Sequence, residues 1–129
     1  MSTVTLVSSI LFIICTSIVC LFHLALTFGA PWGSVAMGGK YPGVLPMKIR
    51  LAILVNQVIY IFFGIVILSR AELILPGFLP ASRIIIWIIN AFLLLGLFMN
   101  MITPSKWERI IWVPILLIMN ISCLLIAIN

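Results

Sequence analysis

The chain has 129 residues, of which 65% are hydrophobic and only 7% charged, and its mean hydropathy is +1.44. Soluble domains carry roughly 25% charged residues, and a chain this short has too little interior to hide so much apolar surface from water. A soluble fold, a disordered chain and a secreted disulfide scaffold are excluded, which leaves an integral membrane protein. The net charge of +5 comes from seven basic and two acidic residues. The basic residues stand singly between apolar runs, where headgroups lie, so they point to membrane lipids as partners and away from nucleic acid.

Charges divide the chain into four spans, residues 4–28, 51–69, 84–102 and 110–128, none with a formal charge at neutral pH. A helix rising 1.5 Å per residue crosses a hydrocarbon core of roughly 30 Å in about 20 residues. No span alternates as a barrel strand does, and backbone groups in lipid must be satisfied within the segment. The expected fold is all-α: a single domain over 1–129, an integral membrane four-helix bundle. The first span has no Lys or Arg before it and exceeds the roughly 7–15 apolar residues of a signal peptide, so it reads as an uncleaved helix.

Within the first span, Thr5, Ser9, Thr16, Cys20, His23 and Thr27 fall within about 60° of one another at about 100° per residue. His23 is an ionisable group inside a membrane, hence a candidate proton relay, pH sensor or ligand-binding residue. The competing reading is an interfacial hydrogen bond near the end of the span. Cys20 and His23 share a face, but the spans offer no third ligand of Asp, Glu or His type, so no metal site is expected. Cys15, Cys20 and Cys123 lie in apolar runs without a C-x-x-C spacing, as buried small hydrophobes do, rather than a thiol relay.

Residues 29–50 hold five of the eight glycines and three of the seven prolines. Trp32, Val35, Met37, Tyr41, Val44 and Leu45 are too apolar for a solvated linker, so the segment is expected to be an ordered interfacial loop. Trp32 and Tyr41 would anchor it in the aromatic belt. Lys40, Lys48 and Arg50 beside glycine amides are candidates for binding an anionic headgroup or phosphate. Gly29 and Gly33 form G-x-x-x-G, but Pro31 between them argues against a helix-dimer motif. Gly39-Lys40 fails as a P-loop, because Ser34 and Tyr41 stand where glycine and Ser or Thr are needed.

Pro46 suits the first turn of the second helix, which carries Asn56, Tyr60 and Gly64 at i, i+4, i+8 with Gln57 alongside. The third span carries Asn90, then Gly96 and Asn100. Before the fourth, Ser105 and Glu108 have capping-box spacing; Pro114 is expected to kink the helix, and Asn120, Cys123 and Ala127 follow on one face. The polar faces together describe a weakly polar bundle interior, with His23, Asn56, Tyr60, Asn90 and Asn120 as candidate ligand-binding residues. The alternative is that these groups hydrogen-bond across helices.

Loops one and three hold Lys40, Lys48, Arg50, Lys106 and Arg109, and loop two holds Arg70 and Arg83. The positive-inside rule places the five inside and both termini outside. No Asp or Glu lies in a span, which argues against a proton-coupled four-helix drug exporter, an ion pump or a voltage sensor.

His23-Leu24, the loop Gly29-Ala30-Pro31-Trp32-Gly33, Gly38-Gly39, Leu45-Pro46, and Trp107-Glu108-Arg109 with Trp112 and Pro114 resemble a group of small, uncharacterised bacterial four-span membrane proteins. The resemblance implies a multi-pass protein of the bacterial plasma (inner) membrane and brings no activity, catalytic residue or cofactor. Three functions are left open. The first is a non-enzymatic subunit, chaperone or regulator acting through helix faces and the ordered loop, since no catalytic constellation is visible. The second is an oligomeric carrier of a small molecule or lipid. The third is an interfacial lipid-modifying enzyme using Lys40, Arg50, Glu108 and Arg109. Four short helices enclose little volume, which points to assembly with itself or with another membrane protein.

Overall fold

A computed structural model describes residues 1–129. The protein is all-α, with helices α1 (Thr3–Thr27), α2 (Met47–Arg70), α3 (Leu79–Ile102) and α4 (Lys106–Ile128), all long and apolar enough to cross a membrane. The second to fourth helices begin four or five residues before their charge-free spans. Charged side chains occupy these first turns, where a helix can stand at headgroup level. Lys48 and Arg50 therefore lie on α2, and the first loop closes at Pro46, which is the residue preceding α2 rather than part of its first turn.

Local chemistry sets the helix ends. At the start of α1 the Ser2 hydroxyl accepts from the Thr5 N–H at 3.1 Å. Its C-terminus is a Schellman turn: Gly29, at φ +98°, donates to the Leu26 carbonyl and Ala30 to that of Ala25. The same turn ends α2, where Glu72 donates to Ser69 and Leu73 to Leu68, but here a glutamate holds the left-handed position at φ +63°. Helix α3 stops at Thr103 because Pro104 forces the preceding residue into extended backbone. Only Thr103, Pro104 and Ser105 separate α3 from α4, and α4 continues unbroken through Pro114.

Three of the basic residues serve helix C-termini, whose last carbonyls lack partners and carry the negative end of the helix dipole. Arg50 Nε donates to the Thr27 carbonyl of α1 at 3.0 Å, Arg70 Nη2 to the Ala127 carbonyl of α4 at 3.4 Å, and Arg109 to the Thr103 carbonyl at the end of α3.

Helix α1 packs against α2 and α4, and α3 against α4; α2 and α3 pack less extensively. Phe12, Val66, Ile67, Ile86, Ile89, Leu93, Met119 and Ile126 are fully buried in the apolar core. On the polar stripe of α1, Thr5, Ser9 and Thr16 are buried, and Cys20, His23 and Thr27 half-buried. Ser9 and Thr27 bond carbonyls of their own helix, at Thr5 and His23. Asn100 and Asn120 do likewise, at Gly96 and Leu116.

A non-glycine residue in the left-handed region costs about 1 kcal/mol, and a carboxylate at a helix C-terminus opposes the dipole. Glu72→Gly is expected to stabilise the bundle by about 1 kcal/mol, read as a rise of a few degrees in the midpoint of thermal unfolding in detergent. A fall would show that the Glu72 side chain contributes something that glycine cannot replace.

Candidate functional site

Polar groups collect at one end of the bundle, beneath the first loop. The loop runs from Phe28 to Pro46 and contains two single helical turns, Gly33–Val35 and Met37–Gly39. It closes on itself where the Gly33 N–H donates to the Gly43 carbonyl at 2.8 Å. A Cβ at position 33 would stand 1.9 Å from the Tyr41 carbonyl oxygen, so only glycine fits there. Gly33 of the G-x-x-x-G pair thus packs on the loop's own backbone. Leu45 and Ala36 turn inward to join Leu26 of α1 and Ile53 of α2 in a small second core, with Tyr41 against its edge.

Three hydrogen bonds tie the loop to the start of α4. Gly38 donates its N–H to Glu108 Oε2 at 2.9 Å, Ser105 donates its hydroxyl to the Ser34 carbonyl at 2.6 Å, and Trp112 Nε1 donates to the Val35 carbonyl at 3.0 Å. Loops one and three therefore share one end of the bundle. The expected capping box is half-formed. The Ser105 hydroxyl accepts from the Glu108 N–H at 3.3 Å, but the Glu108 carboxylate turns away to Gly38 and to the Thr103 hydroxyl, the latter at 3.0 Å.

Under this roof lies a cavity of about 240 Å³. Helix α1 contributes Phe22, His23 and Leu26; α2 contributes Ile53, Asn56 and Tyr60; α3 contributes Phe92, Gly96 and Asn100; and α4 contributes Glu108, Trp112 and Leu116. The spacings i, i+3 and i+4 put each set on one helical face. Trp112 packs against Phe22 with ring centres 4.6 Å apart, and Trp32 stacks on Phe22 at 6.1 Å. His23 meets Tyr60 edge-on at 5.6 Å, and Phe92 stands edge-on to Phe63 at 5.1 Å. His23 Nδ1 is buried without a hydrogen-bond partner. Phe92 is 40% exposed and stands at the thinly packed seam between α2 and α3.

The structure thus brings His23, Asn56 and Tyr60 around one cavity. Asn90 is half-buried outside it, and Asn120 is buried on α4, also outside it. Of the basic candidates, Arg50 is engaged with the end of α1, Lys48 is exposed, and Lys40 lies 5.5 Å over the Tyr41 ring. Trp32 is half-exposed on Phe22. Among Lys40, Arg50, Glu108 and Arg109, Glu108 alone lines the cavity. Sequence spacing missed Glu108 and Asn100 as cavity residues, because Ser105 three residues earlier offered Glu108 a sufficient local role.

Because the loop depends on Gly33, Gly33→Ala is expected to cost about 3 kcal/mol and to open the loop, seen as faster tryptic cleavage after Lys40. Unchanged cleavage would mean that the roof holds without the Gly33–Gly43 closure. Comparison of the chain with protein-family models, with curated proteins and with solved structures finds no match, so its chemistry is read from the cavity itself.

Proposed function

We propose that the protein is a multi-pass protein of the bacterial inner membrane that binds a small amphipathic molecule, a lipid or a membrane-soluble metabolite, beneath its first loop. The cavity carries this reading: it is mostly apolar, with a few convergent polar groups, as small-molecule sites are. At about 240 Å³ it falls just below the usual range of roughly 300–1,000 Å³, which suits a small ligand or one end of a larger one. The seam at Phe92 offers a path from the lipid. The bacterial location follows from the resemblance of the loop and the Trp107-Glu108-Arg109 segment. Five basic residues against two put the roofed end inside and both termini outside.

Asn90 supports a second reading, a non-enzymatic subunit or regulator. It is half-buried, its side chain makes no hydrogen bond within the chain, and it sits on α3, the least buried of the four helices. A polar side chain on such a helix is a means of holding a second membrane helix.

Gly96 lines the cavity, and a Cβ there meets nothing within 4 Å, so Gly96→Leu sets a larger side chain on the cavity wall with no clash at its Cβ. Native mass spectrometry of protein extracted gently from its own membrane is expected to show a retained small molecule or lipid that Gly96→Leu loses, at unchanged thermal stability. Equal retention in both proteins would overturn the binding reading, and a defined hetero-complex that Asn90→Leu disperses would favour the second. Fusion of alkaline phosphatase to the C-terminus is expected to be active; an inactive fusion whose fluorescent-protein counterpart glows would reverse the orientation.

A further inference from the structure

We propose that the group bound in the cavity is an ammonium: a protonated or quaternary amine, either of a free metabolite or of a lipid headgroup. The proposal rests on the binding reading above and names the chemistry that the site selects. Two observations carry it.

The first is charge. Glu108 is the one formally charged residue lining the cavity, and no Lys or Arg lines it. Its carboxylate accepts from a backbone N–H and a hydroxyl, and no basic side chain is bonded to it. Its chain neighbour Arg109 turns to the Thr103 carbonyl. Arg50 and Arg70 cap helices, and Lys48, Arg83 and Lys106 are exposed. With no basic side chain bonded to it, this carboxylate attracts a cation that enters the cavity and repels an anion.

The second is the wall. Phe22, Tyr60, Phe92 and Trp112 line the cavity together with Glu108. Aromatic faces attract a cation within about 6 Å of their centres, and rings around an acidic group favour ammonium over a neutral molecule of the same shape. Trp112 lies one turn beyond Glu108 on the same face of α4, so a ring and the carboxylate approach a ligand from one side. His23 adds a neutral polar ring to the same wall.

Calorimetric titration of the purified protein with choline and with its uncharged carbon isostere, 3,3-dimethylbutan-1-ol, separates charge from shape. Choline is expected to bind at least about tenfold more tightly. Glu108→Gln keeps an oxygen to accept from Gly38 and should lower that preference to about threefold or less, without loss of thermal stability. Equal binding of choline and the isostere would overturn the ammonium assignment and leave the binding reading standing. Failure of both probes would also overturn it, while the ligand retained in native mass spectrometry reports on the binding reading separately. Choline affinity weaker in phosphatidylethanolamine vesicles than in phosphatidylglycerol vesicles would support an ammonium-bearing lipid headgroup as the source. Equal affinity in the two, with the preference over the isostere kept, would support a free amine.

Discussion

Backbone amides and carbonyls that leave a helix near a membrane must find partners within the protein. The first loop meets this demand through the start of α4. Ser34 and Val35 give their carbonyls to Ser105 and Trp112, and Gly38 gives its N–H to Glu108. Much else depends on these three bonds. They bring loops one and three together, turn the Glu108 carboxylate away from its own helix terminus, and roof the space between the helix ends. Gly38 meets the geometry at φ +69° with Pro104 and Thr103 close by, a conformation that a larger residue adopts at a cost.

Charge is distributed by the same logic. The arginines at 50, 70 and 109 lie against carbonyls at the ends of α1, α4 and α3. A guanidinium offers several N–H donors in a fixed fork and stays charged, which suits it to a half-buried helix terminus. The lysines, whose ammonium groups are compact and strongly hydrated, are exposed. The carboxylate at the cavity is consequently without a partner among the protein's cations.

Four spans and an all-α fold were legible in the sequence because hydropathy and the absence of charge are local and additive. Helix starts were less so: Arg50, Arg83 and Arg109 marked span edges by charge, although helices tolerate charge in a first turn at the interface. The polar stripe on α1 was legible as a stripe, yet a helical wheel does not reveal which neighbour each face meets. His23, Asn56 and Tyr60 converge, while Asn90 and Asn120 turn elsewhere. Glu108 was legible as a cap and as an interfacial residue but not as a cavity residue, since a plausible partner three residues away concealed the loop partner in Gly38.

Membrane helices are inserted from the N-terminus onward, which gives the long-range bonds of the roof a temporal meaning. Ser34, Val35 and Gly38 find their partners 71, 77 and 70 residues further along the chain. When the first hairpin has entered the bilayer, the loop has its small core on Leu26 and Ile53 but not yet the residues that fasten it. The cavity therefore comes into existence only with the last helix. A chain stalled after α3 would present an open loop with three unmet backbone groups at the membrane surface.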